Sequence, residues 1–316
     1  MIVAVTGGTG FIGRHLIARH CSRGDQVRYL TRKQPTGAIA GATAFIGSLS
    51  SSPDQLREFA RGADVLYHCA AELRDESAMQ RTNVLGTAQL LAAATGEIGR
   101  WVQLSSTGVY GRQVSGVVDE ETLVNPANAY EVSKAMADAI VLDTAGKQGL
   151  ACVVVRPSNV YGPNMPNQSL LQLIRMIDRR RFFFIGRRGA IVNYVHVENV
   201  VDALILCGQT ALPGNGRAYI VSDHCGLDEF VHLITTALGK APPRLRLPER
   251  VVRAVATAAG GIPGFPLTPS RIDALTGRAV FCANRIRTEL GFRNTISMEA
   301  GISDLARRCC AWTDGP

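Results

Sequence analysis

Residues 1–13 read MIVAVTGGTGFIG, a β-branched run, then spaced glycines, then the start of an apolar periodic stretch that reaches about residue 22. The order predicts a strand, a tight turn and a helix beginning near Phe11. Gly7, Gly10 and Gly13 allow the backbone to turn sharply and to approach a ligand closely. The free N–H groups and the dipole of the following helix favour negative charge at the same place. Together they predict a cradle for the pyrophosphate of a dinucleotide, formed by Gly7, Gly10, Phe11, Ile12 and Gly13.

Working outward, short apolar runs alternate with helical stretches: QVRYLTR, ATAFIGSL, DVLYHCAA, RWVQLSST and ACVVVRPSNVYGP follow the first strand. Strands apolar on both faces and separated by helices predict an α/β fold with a doubly wound parallel sheet, of the Rossmann type. Ligands of such sheets lie at the carboxyl ends of the strands. That rule places Thr31 and Arg32, Ser48 and Leu49, Ala70 and Ala71, Ser105 and Ser106, and Pro157 and Asn159 around one crevice. From about residue 160 Pro and Gly clusters break the pattern, which predicts a smaller α/β substrate lobe. The expected division is 1–162 with about 191–222 for the dinucleotide domain, and about 163–190 with 223–316 for the lobe.

The end of the second strand reads Leu30-Thr31-Arg32-Lys33 and holds no acid. A carboxylate there would accept a ribose 2′-hydroxyl and repel a 2′-phosphate, whereas a guanidinium pairs with the phosphate. NADP(H) is therefore expected ahead of NAD(H).

AYEVSKAMAD, residues 129–138, sets Tyr130 and Lys134 one helical turn apart in a chain whose only other lysines are at 33, 147 and 240. Residues four apart share a helix face. An ammonium beside a phenol favours the phenolate, and so makes Tyr130 usable for proton exchange near neutral pH. Ser106, at the end of the fifth strand, can hydrogen-bond the oxygen of a carbonyl or carbinol.

These motifs resemble the extended short-chain dehydrogenase/reductase family, in its nucleotide-sugar epimerase and dehydratase branch. The resemblance runs through TGGTGFIG, HCAA at 68–71, RTNVLGT at 81–87, LSSTGVYG at 104–111, YEVSK at 130–134, RPSNVYGP at 156–163, NYVHVENVVDAL at 193–204 and ELGF at 289–292. It implies a catalytic set of Ser106, Tyr130 and Lys134, with Asn83 supporting the lysine through the helix backbone. It also implies Asn159 near a substrate diphosphate, and a homodimer. The dehydratases of this branch carry Asp-Glu where this chain has Thr107 and Gly108, so elimination of water lacks its proton carriers. An Arg expected to grip the diphosphate is Val192 here; Arg187, Arg188, Arg271 and Arg278 are the candidates to replace it.

The leading expectation is a 4-ketoreductase or 4-epimerase of a nucleoside-diphosphate sugar, with Ser106, Thr107, Tyr130, Asn159, Arg187 and Arg271 at the substrate. Two alternatives stand beside it. One is a reductase or dehydrogenase of an apolar alcohol or ketone, with RLRLPERVVRAVATAAGG at 244–261 as a basic amphipathic segment; the other is a non-catalytic dinucleotide sensor.

Composition bounds the rest. With 46% hydrophobic and 19% charged residues the chain excludes extended disorder. The formal charge of +8 favours small anionic ligands, and the scatter of basic residues outside RRRFFFIGRR at 179–188 argues against nucleic acid. No apolar run approaches a membrane span, no charged leader is evident, and the eight cysteines show no metal or disulfide spacing, so a cytoplasmic protein without a metal is expected. His196, with no second ligand at helical spacing, is expected to pack rather than bind metal.

Overall fold

The computed structural model describes residues 1–34, 37, 39–210, 216–258 and 267–311, except for the side chains of 310 and 311. Its centre is a parallel sheet of β1 (Ile2–Thr6), β2 (Gln26–Thr31), β3 (Ala42–Ile46), β4 (Ala63–His68), β5 (Ile98–Leu104), β6 (Cys152–Pro157) and β7 (Arg217–Val221). The spatial order is β7-β6-β5-β4-β1-β2-β3, with every neighbouring pair parallel. Strand order reverses between β1 and β4, which opens a crevice at their carboxyl ends.

Alternation along the strands fills both faces. Val3, Val5, Val65, Tyr67, Val153 and Val155 join one core with Leu16 and Ile17 of helix α1 (Phe11–Ser22). Ala4, Leu66, Cys152 and Val154 join the other, with Leu56 and Phe59 of α2 (Pro53–Ala60), Leu90 and Leu91 of α3 (Gly86–Ala94), and Val141 and Ala145 of α4 (Ala129–Gln148). The remaining long helix of this unit, α5 (Val197–Gln209), packs on the first face beside α1.

A separate core lies beyond the crevice. It gathers Leu170, Leu171 and Ile174 of the helix Gln168–Asp178, Phe230, Val231 and Ile234 of Leu227–Ala237, and Ile302 and Leu305 of Met298–Ala311. Its three-stranded sheet places Ile191–His196 between Asn159–Tyr161 and Asp223–Gly226. The segment 283–292 packs instead on the first core. Of the basic amphipathic stretch 244–261, the helix Glu249–Ala258 buries Val252 and Ala256, and residues 259–261 lie outside the described residues. No helix among the described residues is long and apolar enough to cross a membrane.

Candidate active site

The glycine turn is built so that a side chain at Gly7 or Gly13 would not fit. Gly7 has φ +68°, and a Cβ there would lie 2.7 Å from the backbone of Cys69 and Ala70; at Gly13 it would lie 2.2 Å from the carbonyl oxygen of Gly7. Gly10 caps α1 without a side-chain hydrogen bond, and the first turn contains no acid. The N–H groups of that turn therefore remain available to an anion, and the cradle fits a dinucleotide pyrophosphate. Phe11 and Ile12 begin the helix directly beneath it.

Other strand ends converge on the same crevice. Thr31 closes β2, its hydroxyl donating to the carbonyl of Lys33 at 3.0 Å, and Arg32 and Lys33 stand exposed beyond it. Ser48 and Leu49 follow β3, with Leu49 packed against Gly86. Ala70 N donates to Thr6 Oγ1 at 3.2 Å, which holds the Ala70–Ala71 segment against the end of β1.

The catalytic candidates sit on two elements. Ser106 follows β5 in extended conformation, and its Oγ accepts the N–H of Gly108 at 3.0 Å. Tyr130 and Lys134 lie in the first turns of α4. That helix is started by Asn128, whose side chain accepts Glu131 N at 3.0 Å, and ended by Gly149 at φ +67°. Lys134 is fully buried and its Nζ donates to the carbonyl of Leu104 at 2.6 Å. Burial lowers its pKa, and the carboxylate of Asp138 opposes that.

The electrostatics of Tyr130 differ from the expectation. Burial, then Asp138 and Glu131, push its phenol up to about 12. The lysine's ammonium is drawn to the Leu104 carbonyl on β5. Asn83 meets the lysine's helix at Ser133. It sits in a π-helical turn, Gln80–Leu85, where its amide donates to Glu72 O at 3.0 Å and to Ser133 Oγ at 2.9 Å, and its carbonyl accepts Glu72 N at 2.7 Å. It thus ties the loop after β4 to α4 and reaches the lysine's helix through a serine side chain.

Ser105 turns away from the crevice, its Oγ donating to Asp138 Oδ2 at 2.7 Å, and Pro157 is buried at the end of β6. Thr107 is buried, while Asn159 is exposed and donates to Asn193 O at 3.2 Å. Arg187 is exposed; Arg271 reaches Gln172 Oε1 at 2.8 Å and Arg278 the carbonyl of Arg188 at 2.9 Å. Val192 is buried in the lobe core. His196 caps α5, accepting Glu198 N at 3.3 Å, and meets Tyr161 edge-on.

Several site-supporting residues escaped sequence reasoning. Asp138 stands four residues beyond Lys134 on the same face, and Arg156 interrupts an apolar strand, so both carried a signal. Arg156 Nε donates to Asp138 Oδ2 at 3.1 Å and Nη1 to Tyr110 Oη at 2.9 Å. His68 bridges Thr6 and Thr87, at 2.7 and 2.9 Å, and the π-helical turn announced itself by nothing in the residue pattern.

Residues 3–222, more than half of the chain, match the family described as NAD dependent epimerase/dehydratase. The chain belongs to that family. It is 30% identical to a 4-hydroxy-2-methyl-3-oxo-4-farnesyl-3,4-dihydroquinoline-1-oxide ketoreductase of Stigmatella aurantiaca, with 95% of this chain and 94% of the relative covered. It is 26% identical to a 3-beta-hydroxysteroid dehydrogenase of Mycolicibacterium neoaurum, with 96% and 89% covered. Among solved structures, MoeE5 in complex with UDP-glucuronic acid and NAD superposes with a TM-score of 0.74 at 24% identity, covering 98% of this chain and 99% of that one. As a member of this family, the protein is an enzyme of the oxidoreductase and epimerase type, and its family is NAD-dependent.

Proposed function

We propose that this family member interconverts a ketone and a secondary alcohol on a largely apolar small molecule, with NADP(H) preferred to NAD(H). The observation that carries the apolar reading is Val192: the position expected to offer a guanidinium to a diphosphate is packed inside the lobe core. Arg271 and Arg278, two possible replacements, are engaged with Gln172 and the Arg188 carbonyl. The substrate named for the ketoreductase carries a long farnesyl hydrocarbon chain and that named for the dehydrogenase is a steroid, which supports the same reading.

The dinucleotide would be held by the glycine turn and the N-terminus of α1, and it supplies the hydride that passes to or from the substrate carbon. The chain supplies the rest. Ser106 Oγ hydrogen-bonds the substrate oxygen and fixes its distance from Tyr130. The phenol, protonated near neutral pH, gives its proton to that oxygen during reduction and takes it back during oxidation. Lys134 provides positive charge behind the phenol, which stabilises the phenolate left after proton transfer. Arg32, exposed at the end of β2, faces no local carboxylate of its own strand end and supports the preference for a 2′-phosphate.

The second reading, a nucleoside-diphosphate sugar undergoing 4-keto reduction or 4-epimerisation, is favoured by the exposed Asn159 and Arg187. Dinucleotide oxidation with NADPH and a set of hydrophobic cyclic ketones, run beside 4-keto UDP- and dTDP-sugars, separates the two. Turnover and thermal protection by the hydrophobic ketones are expected. Turnover confined to the sugar nucleotides would replace the first reading with the second.

A further inference from the structure

Lys134 and Arg156 are both buried, with 3% and 5% of their surface exposed, and the carboxylate of Asp138, at 2%, stands one helical turn beyond the lysine and accepts from the arginine. Asp138 Oδ2 accepts Arg156 Nε at 3.1 Å and Ser105 Oγ at 2.7 Å. Both neighbours donate to that oxygen, and although burial pushes the carboxyl's pKa up, the charges of Arg156 and Lys134 and the hydrogen bonds from Ser105 and Arg156 oppose the rise and favour the carboxylate. Its Oδ1 is buried without a hydrogen-bond partner among the described residues. The other groups around the lysine bring no anion at working pH. From β4, His68 is held neutral at about 3 and Cys69 at about 12 by burial; from β5 come only the Leu104 carbonyl and the Ser105 hydroxyl; from its own helix comes Tyr130, itself protonated. Two buried cations therefore share one carboxylate. A charge taken out of water needs a compensating partner or it is given up.

We infer that Asp138 is a positioning residue for the catalytic pair: it is the counter-ion that keeps Lys134 charged inside the protein, and Arg156 governs how much of that anion the lysine receives. A purely structural role for Asp138, tying α4 to β5 and β6, would depend on its hydrogen bonds. The counter-ion role depends on its charge. The inference rests on reading Lys134 as the working cation, yet it can be tested without turnover.

The chain has lysines only at 33, 134, 147 and 240, and Lys134 alone among them is buried. Protein labelled with ¹⁵N at the lysine side chains should give a sparse spectrum, with the Lys134 signal assigned by its loss in Lys134→Arg. Titrating that signal reads the charge directly, with neither dinucleotide nor substrate added. Asp138→Asn, which preserves shape and removes charge, should lower the Lys134 midpoint by about 1–3 pH units. Arg156→Gln, which leaves the carboxylate to the lysine, should raise it, and the double variant should return toward the parent value. A Lys134 midpoint that stays in place in both single variants overturns the inference. Should Asp138→Asn fail to fold, Arg156→Gln decides alone: an upward shift supports the counter-ion role, and an unchanged midpoint overturns it. In turnover assays the alkaline limb should move in the same order. If the lysine titrations shift as expected while no ketone is reduced, the proposed reaction falls and the role of Asp138 stands.

Discussion

Asn83 Nδ2 donates to Ser133 Oγ at 2.9 Å, and Ser133 Oγ donates in turn to the carbonyl of Tyr130 at 2.8 Å. A side chain in a π-helical turn thus holds the first turn of the helix that carries Tyr130 and Lys134 from a point fifty residues away in sequence. The same amide closes a reciprocal pair with the backbone of Glu72. Widening the turn to π geometry displaces Asn83 from the regular α register and accompanies this bridge between the loop after β4 and α4.

Replacing Asn83 by Ala should strand the Glu72 N–H and carbonyl and free the first turn of α4. The expected loss is about 2 kcal/mol of stability, since each stranded buried group costs about 1–3 kcal/mol. Urea unfolding measures it. A fall in kcat larger than the change in KM should accompany it, because a displaced Tyr130 weakens proton transfer more than binding. Unchanged kcat with lowered stability would confine Asn83 to folding.

The glycine turn allows a graded test. A Cβ at position 13 would lie 2.2 Å from the Gly7 oxygen, while one at position 10 would lie at 3.1 Å. Gly13→Ala should weaken dinucleotide binding by about a hundredfold or more, and Gly10→Ala by about tenfold or less. Calorimetric titration with NADPH ranks them. Equal effects would mean that the turn is not the pyrophosphate cradle.

Arg32→Ala should cost NADPH affinity about tenfold and leave NADH affinity nearly unchanged, as expected from losing one charge-assisted hydrogen bond of about 1.5–3 kcal/mol partly replaced by water. Fluorescence titration of the two dinucleotides checks the ratio. Parallel losses for both would remove Arg32 from the 2′-phosphate.

Much of this architecture was legible because its signals are local. The glycine turn, the apolar strands and the four-residue step from Tyr130 to Lys134 each follow from backbone sterics or helical period. The seven parallel strands agree with the α/β expectation for that reason. What could not be read depends on where a side chain finds its partner. Lys134 reaches the Leu104 carbonyl thirty residues away, and Ser105 turns to Asp138 although Ser106 beside it accepts the N–H of Gly108. Position 192 illustrates the limit well. The sequence shows a valine in place of an arginine; only packing shows that it belongs to the lobe core.

Tyr130 carries the pH dependence of the proposed reaction. Its phenol lies at about 12 in the protein alone, so it is protonated throughout the neutral range. A proton donor works below its midpoint. Ketone reduction should therefore hold steady near neutral pH and fall as pH rises toward the midpoint, while alcohol oxidation should rise over the same interval. Tyr130→Phe should lower kcat by about 10²–10⁴-fold in both directions with little change in dinucleotide affinity. Ordinary turnover in that variant would remove the phenol from the chemistry.

His68 should make stability fall with acid. It is fully buried between the hydroxyls of Thr6 and Thr87, and burial, followed by the charge of Lys134, pushes it down to about 3. An unfolded histidine titrates near 6.5. Above that value both states are neutral at this residue and stability is indifferent to pH. Below it the unfolded chain takes up a proton that the folded chain refuses, so stability is lost as pH drops from about 6.5 toward about 3, at up to about 1.4 kcal/mol per pH unit. His20 and His196 are lowered by burial too and add to the slope with the same sign. His68→Gln keeps a donor and an acceptor and cannot titrate. Urea unfolding of both proteins from pH 7 to pH 5 should therefore show a shallower fall in the variant, by roughly 2 kcal/mol across the interval. Parallel curves would show that His68 is protonated in the folded protein, and that the hydroxyls of Thr6 and Thr87 both accept from it.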